Sequence, residues 1–180
     1  MNRLKNGTLI FKDYPDFKPN LTPKEVFQLG SFGGTYYRPI YSTITQKKYS
    51  NTHKEYPSDW FKGLNDNQVI SSNCNKSLNK YKVKSGQSLK AWEDAGWITT
   101  QDPYGWFQWY CRFYEGRRSP DDERQVKRWL GVCGPKGRWK RRLANMIKDK
   151  KTTLNDYSVS PVIRQLLQHW GYVLKQSDLK

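Results

Sequence analysis

Residues 102–142 read DPYGWFQWYCRFYEGRRSPDDERQVKRWLGVCGPKGRWKRR, and this stretch decides the fold of the carboxyl-terminal half. It contains four of the eight tryptophans together with a dense set of arginines. Within residues 104–115, four rings recur at i, i+3, i+4 and i+7, namely Trp106, Trp109, Tyr110 and Phe113. This spacing is typical of one helix face. The sequence therefore predicts an amphipathic helix whose aromatic face packs into the core.

Three more helices are predicted after it. Ser119 is expected to cap a helix that has Pro120 at its first position and acids at 121–123, where they complement the helix dipole. The Gly-Pro-Lys-Gly turn at 134–137 separates this helix from another over residues 138–148. Pro161 favours the start of a last helix, with apolar residues as far as Leu174.

The first hundred residues predict shorter elements. Residues 22–30 carry a capping box, with Thr22 as the cap, and residues 88–96 carry a short helix capped by Ser88. Residues 9–11 and 35–37 have strand character, whereas the polar segments at 42–55 and 65–84 are predicted to be loops.

The fold class predicted from these elements is mainly α, as a single compact helical domain over residues 1–180. It consists of an irregular arm at 1–21, a loop-rich part at 22–100 that includes a short β element, and a helical part at 101–175.

The formal net charge is +16, from 32 Lys and Arg against 16 Asp and Glu, and 15% of the residues are aromatic. So many rings indicate a folded chain, and so large a charge favours a polyanionic partner. We expect nucleic acid, DNA rather than RNA, bound without sequence specificity. The alternative is that the charge serves solubility alone.

Other classes of protein are less compatible with the composition. Three cysteines without a CxxC motif and only two histidines predict no metal site and no cofactor. No apolar run approaches the roughly 20 residues that a membrane span needs. The first 17 residues lack the apolar core of a secretory signal. We therefore expect a protein that is intracellular, nuclear or viral, and not secreted, with its oligomeric state left open.

Candidate phosphate-binding residues follow from the cations of the opening stretch, because Lys and Arg hold phosphates. They are Arg112, Arg117, Arg118, Arg124, Arg128, Lys136, Arg138, Lys140, Arg141 and Arg142. Rings outside the predicted buried stripe are candidates for stacking on bases: Tyr104, Phe107 and Tyr114.

The turn at 130–138 resembles the hairpin of helix–hairpin–helix DNA-binding motifs, in which a Gly-hydrophobic-Gly turn precedes Lys or Arg. That resemblance implies that backbone N–H groups at the start of the next helix hold a phosphate, which Gly134 and Gly137 allow to approach closely. This chain departs from the motif, since two residues, Val132 and Cys133, stand where the motif has one. The alternative interpretation is a glycine-rich connection between two helices.

Candidate catalytic carboxylates are Asp102, Asp122 and Glu123, although their spacing specifies no catalytic pair. Asp102 could equally form a turn before Pro103, and the acids at 121–123 could serve the helix dipole. Two alternative functions stay open at this point. One is a glycosylase- or nuclease-like enzyme that holds a base or strand in an aromatic pocket; the other is a structural or packaging protein that binds acidic partners.

Several strings over residues 30–175 are similar to an uncharacterised protein family of eukaryotic microbes, fungi and large DNA viruses. They are GSFGGTYYRPI, DPYGWFQWYCRFYEGRR, DDERQVKRW, GPKGRWKR and SPVIRQLLQHW. The resemblance implies one folded module and brings no known activity with it.

Overall fold

The computed structural model describes residues 1–180 and confirms the mainly α prediction. Its helices are α1 Pro23–Gln28, α2 Asp66–Val69, α3 Leu89–Asp94, α4 Trp106–Tyr114, α5 Asp122–Cys133, α6 Arg138–Asp149 and α7 Pro161–His169. Short 3-10 turns lie at Phe32–Gly34, Thr52–Glu55, Ser58–Phe61, Lys76–Leu78 and Gln176–Leu179. None of these helices is both long enough and apolar enough to cross a membrane.

Two small antiparallel sheets complete the fold. Strand β1, Asn2–Arg3, pairs with β2, Leu9–Ile10, and β3, Ile40–Ser42, pairs with β4, Lys47–Tyr49. The strand predicted at 35–37 is wrong, because these residues follow the 3-10 turn and the chain becomes extended only beyond Pro39. The segment 42–55, predicted to be a loop, contains β4. The sequence carries no strand signal there because this hairpin exposes polar side chains to solvent.

Helix α4 lies at the centre of the core, as its aromatic spacing predicts. Its stripe is enclosed, with Trp109, Tyr110 and Phe113 all fully buried. The ring of Phe17 packs between them at centroid distances of 5.5 Å from Trp109, 5.6 Å from Tyr110 and 5.5 Å from Phe113. The same ring lies 5.2 Å from Trp129 of α5. The amino-terminal arm therefore contributes to the core that α4 and α5 share.

The helix ends agree in part with their predictions. The capping box of α1 is present: the hydroxyl of Thr22 accepts the N–H of Glu25 at 3.1 Å, and the Glu25 carboxylate accepts the N–H of Thr22 at 2.8 Å. Ser119 is not the cap of α5; the cap is Asp121, and Ser119 instead donates its hydroxyl to Asp122 at 2.7 Å.

The last helix ends at His169 rather than near Leu174. At Gly171, φ is +68°, a conformation that glycine adopts without strain. A Cβ there would lie 2.9 Å from the ring of Tyr110, so the close packing of this turn on α4 also requires glycine.

Candidate functional site

Two of the predicted phosphate-binding arginines face a buried carboxylate. Arg117 binds both oxygens of Asp102, with Nη1–Oδ1 at 2.7 Å and Nη2–Oδ2 at 2.6 Å. Arg112 adds a bond from Nη1 to Oδ1 at 3.0 Å. The side chain of Asp102 is 1% exposed, and Gln101 donates a further bond to it at 3.0 Å. These contacts favour a structural role for Asp102, and its catalytic role stays a prediction.

Other predicted cations are also paired within the protein. Arg112 forms a second ion pair with Glu55 at 2.6 Å. Arg118 pairs with Asp13 and lies over the ring of Phe113 at 3.8 Å from its centroid. Arg124 pairs with Asp121, and Lys140 pairs with Asp178 at 3.3 Å. Each of these cations already pairs with a carboxylate. A phosphate that bound there would have to replace this ion pair, so it would gain less binding free energy.

The remaining candidate carboxylates are not gathered into one site. Asp122 is buried and accepts bonds from Trp109 Nε1 at 2.8 Å and from the backbone N–H of Ser119 at 2.9 Å. Glu123, the next residue of α5, is exposed. Asp122 therefore ties α5 to α4, as a structural residue would.

The rings predicted to stack on bases are mostly enclosed. Tyr104 is only 2% exposed, and its hydroxyl donates to the carbonyl of Arg38 at 2.8 Å. The prediction that Tyr104 is available for stacking is therefore wrong. Phe107 is buried, and Tyr114 is half-buried with its centroid 5.9 Å from that of Trp60.

The two glycines of the turn at 134–137 have structural roles. Gly134 donates its N–H to the carbonyl of Leu130 at 3.1 Å, and Gly137 donates its N–H to the carbonyl of Gly134 at 2.9 Å. A Cβ would lie 2.6 Å from the Leu130 oxygen at Gly134 and 2.5 Å from the Val132 oxygen at Gly137. Their N–H groups are therefore occupied within the chain and are not free to bind a phosphate, whereas phosphate contact at the amino terminus of α6 stays a prediction. Small residues are needed to bring α5 and α6 together.

Helix α6 carries exposed arginines without carboxylate partners. Arg138, Arg141 and Arg142 are exposed, recur at i, i+3 and i+4, and form no ion pair. We call these three residues the α6 basic face. The buried residues Leu143 and Ile147 hold the other side of the helix against the core. The guanidinium groups of Arg138 and Arg142 lie 5.0 Å and 5.9 Å from the centroid of Trp139.

Trp139 also lines a cavity of about 850 Å³, which we call the aromatic cleft. The cleft is bounded by α3, α4, α5, α6 and α7, by the turn that begins at Phe32 and by the segment 84–88. Five tryptophans line it: Trp92, Trp97, Trp106, Trp139 and Trp170. The side of the cleft at Trp97 reaches solvent, since that residue is 41% exposed. The α6 basic face and the aromatic cleft are therefore neighbours that meet at Trp139.

The charged side chains of the cleft are all cationic: Arg38, Lys84 and Arg128. Arg128 is half-buried, with its guanidinium 5.3 Å from the ring centroid of Trp97 and 5.6 Å from that of Trp170. It donates to Gln125 at 3.0 Å and has no carboxylate partner. Burial, with a contribution from the nearby Arg124 charge, lowers the pKa of Arg128 to about 10, so that it still carries its charge at neutral pH.

His169 lines the cleft and is 7% exposed. Its Nε2 accepts the backbone N–H of Phe32 at 3.0 Å and lies 3.0 Å from Nε2 of Gln165. The carbonyl oxygen of Gln165 is taken by the N–H of Tyr81 at 3.1 Å, so Gln165 turns its amide donor to the histidine. Burial lowers the pKa of His169 to about 3. The imidazole is therefore neutral, with its proton on Nδ1, which has no partner in the protein.

Arg128 and Phe107, two of the side chains predicted to bind nucleic acid, line this cleft, but sequence reasoning did not predict the cleft itself. It placed Trp106 in the core and considered the two histidines only as metal ligands. No spacing signal could have found the site, because Phe32, Trp92 and Trp170 come from distant parts of the chain.

Models of known protein families, curated proteins and solved structures were compared with the chain, and none of them matches it.

Proposed function

We propose that the chain is a nucleic-acid-binding protein that holds the phosphate backbone, preferably of DNA, without reading sequence. The observation that carries the proposal is the α6 basic face, where Arg138, Arg141 and Arg142 are exposed together and have no carboxylate partner. A phosphate that approaches these guanidinium groups displaces solvent and counterions only, because no internal ion pair has to be broken.

Other exposed cations lie on α5, in the turn before α6 and near the end of α6. Lys127 on α5 and Lys136 in the turn before α6 are exposed and form no ion pair. Lys148, Lys150 and Lys151, near the end of α6, are exposed as well. By contrast, phosphate contacts at Arg112 and Arg117 would compete with Asp102, and we assign them a structural role in this proposal.

The same proposal treats residues 1–180 as one domain of an intracellular protein, nuclear or viral. A hydrophobic cluster of 29 buried residues that extends from Leu9 to Leu174 supports a common core. A DNA partner is compatible with those locations.

Duplex DNA labelled with a fluorophore tests the proposal by anisotropy over a series of salt concentrations. Removing three phosphate contacts should reduce the slope of log affinity against log salt by about 2.7 units, at roughly 0.9 per contact. The test variant is therefore Arg138→Ala combined with Arg141→Ala and Arg142→Ala.

A charge-matched variant controls for net charge alone. Lys47, Lys48 and Lys54 are exposed and unpaired, and β4 and the turn after it place them outside α6. Their combined replacement by alanine removes the same charge and should leave most of the slope intact. Equal slopes for the two triple variants, or an affinity indifferent to salt, would refute phosphate binding at the α6 basic face.

A second candidate function is an enzyme that acts on a base, and the aromatic cleft beside the α6 basic face favours it. Asp102, Asp122 and Glu123 do not line that cleft, so their proton transfer to a base held there has no geometric support. Incubation with duplexes that contain damaged or mismatched bases, with and without Mg²⁺, decides between the candidates. Cleavage or base release would favour the enzyme, whereas retained binding without product would favour the non-enzymatic proposal.

A further inference from the structure

We propose that the aromatic cleft binds a single nucleotide, with the base stacked among its indole rings and the phosphate on Arg128. The nucleotide is either free or an unpaired residue of a strand, since both present the same chemistry. The inference goes beyond the proposed function, because the α6 basic face and the cleft are separate sets of side chains and either could bind without the other.

The size and walls of the cleft fit a flat ring. Its volume of about 850 Å³ lies within the range of roughly 300–1,000 Å³ that small-molecule sites occupy. Trp106 and Trp170 pack directly on one another, with ring centroids 4.5 Å apart and planes tilted by 37°, and together they form one aromatic wall of the cleft. Trp92 lines the side formed by α3. Indole surfaces favour heteroaromatic rings, because stacking buries apolar area and tolerates any base.

The charges of the cleft select an anion. Arg38, Lys84 and Arg128 line it, and no Asp or Glu does. Arg128 lies beside the rings of Trp97 and Trp170 and has no carboxylate partner. Nη1 donates one bond to Gln125, and the other donors of the guanidinium remain available to a ligand. A guanidinium binds phosphate oxygens through two parallel hydrogen bonds, which suits a terminal phosphate. A neutral aromatic ligand would leave this half-buried charge without a partner.

His169 adds a directional contact. Its Nε2 is occupied by Phe32 and Gln165, so the neutral ring offers a single donor, Nδ1–H, to whatever the cleft holds. Ring stacking on Phe32, at 4.1 Å between centroids, fixes the plane of the imidazole. Nucleobases carry acceptor nitrogens and carbonyl oxygens on their edges, which such a donor can bind. The arrangement therefore provides stacking, charge and one edge contact.

Isothermal titration of the full chain tests this inference with AMP, GMP, CMP and UMP. If the cleft takes a free nucleotide, at least one monophosphate should bind saturably, and its nucleoside should bind about 10- to 100-fold more weakly, as expected when a charge-assisted hydrogen bond is lost. Ribose 5-phosphate, which lacks the base, should not saturate the site. Equal affinity for nucleotide and nucleoside, or saturable binding of ribose 5-phosphate, would overturn the proposal.

Short single strands with and without one abasic position identify the source of the nucleotide. Binding of free monophosphates supports a free nucleotide. Binding confined to the strand that keeps its base supports an unpaired residue of a strand. If no monophosphate binds and the abasic strand binds as well as the intact strand, the cleft takes no nucleotide.

Gly131 allows the cleft to be blocked without disturbing the fold. It lines the cleft from the exposed side of α5, and a Cβ there would meet no atom within 4 Å. Gly131→Leu should abolish nucleotide binding by filling the cleft, while the matched variant Gly131→Ala should retain it. Arg128→Gln should weaken binding about 10- to 100-fold, whereas Lys47→Gln, at an exposed position of β4 that does not line the cleft, should not. Unchanged binding in both Gly131→Leu and Arg128→Gln would place the ligand elsewhere.

The triple variant of the α6 basic face separates the two proposals. It should lose affinity for duplex DNA and keep the affinity for mononucleotides within about threefold. Loss of mononucleotide binding in this variant, together with its retention in Arg128→Gln, would move the nucleotide site from the cleft to α6. If the full chain does not bind duplex DNA but still binds mononucleotides, the proposed function is wrong and the nucleotide site is retained.

Discussion

The two halves of residues 102–142 use the same residue types in opposite ways. In the first half, Arg112 and Arg117 close on buried Asp102, and the rings of α4 are enclosed by the core. In the second half, Arg138 and Arg141 are exposed without carboxylates, and Trp139 lines an open cleft. The comparison shows that a local density of rings and arginines does not by itself define a binding surface. A ring or an arginine is available to a ligand only when it has no partner within the protein.

Asp102→Asn should have the largest effect on stability. The substitution leaves Arg117 and Arg112 facing a neutral amide at a site that is 1% exposed, and breaking such a pair costs about 3–5 kcal/mol of unfolding free energy. Urea denaturation measures this loss. The control is Asp94→Asn, which breaks an exposed pair with Lys90 worth about 0.3–0.5 kcal/mol. Similar small losses in both variants would remove the contrast between the two halves.

The second expected effect is a pH dependence from His169 on the cleft side. Burial holds its pKa near 3, below the ordinary value of 6.5, so only the unfolded chain gains this proton as the pH falls below 6.5. The contribution of His169 to stability is therefore complete above pH 6.5 and decreases by up to about 1.4 kcal/mol per pH unit as the pH falls towards 3.

His169→Gln isolates that contribution, since its amide oxygen can still accept the N–H of Phe32. Denaturation of both proteins between pH 7 and pH 5 should give a flatter profile for the variant. Parallel profiles would mean that His169 is protonated in the folded protein, and the single-donor arrangement of the cleft would then be wrong.

Gly131→Ala should stabilise the chain by about 0.5–1 kcal/mol, because alanine favours the interior of a helix over glycine and its methyl group meets open space. Gly137→Ala is the opposing case, since its Cβ would lie 2.5 Å from the Val132 carbonyl oxygen. Thermal denaturation should move in opposite directions for the two variants. A gain at both positions would contradict the close packing of the turn before α6.

The smallest expected effect is on stability at the α6 basic face. Replacing Arg138, Arg141 and Arg142 by alanine should change the unfolding free energy by no more than about 0.5 kcal/mol for each residue, because these exposed side chains pair with no carboxylate. Arg117→Ala provides the comparison, because it leaves Asp102 with one fewer cation and should cost several times more. Equal losses of unfolding free energy in the two variants would mean that the arginines of the two halves contribute equally to stability.

Local patterns explain which parts of the fold the sequence predicted. The stripe of α4 and the capping box at Thr22 depend on residues within one or two helical turns, so their spacing alone identifies them. The β3–β4 hairpin was missed because its pairing, from Ile40 to Tyr49, joins segments that lack alternation between apolar and polar residues.

The site depends on contacts that no local pattern contains. Arg118 meets Asp13 across 105 positions, and Arg112 meets Glu55 across 57, so the sequence alone could not separate paired arginines from free ones. The donor state of His169 likewise depends on Phe32, which lies 137 positions away. The cations of α6 were among the predicted phosphate contacts because they belong to the arginine-rich stretch 102–142.

The glycines that join α5 to α6 bear on the thermodynamics of binding. Gly134 and Gly137 allow backbone contacts that hold the two helices in one fixed relation. The wall of the cleft at Val132 and the arginines of α6 are thus in place before any ligand arrives. Preorganisation of this kind lowers the entropy lost on association. We therefore expect a modest heat-capacity change on binding, in proportion to the apolar surface that the ligand covers and without a contribution from coupled folding.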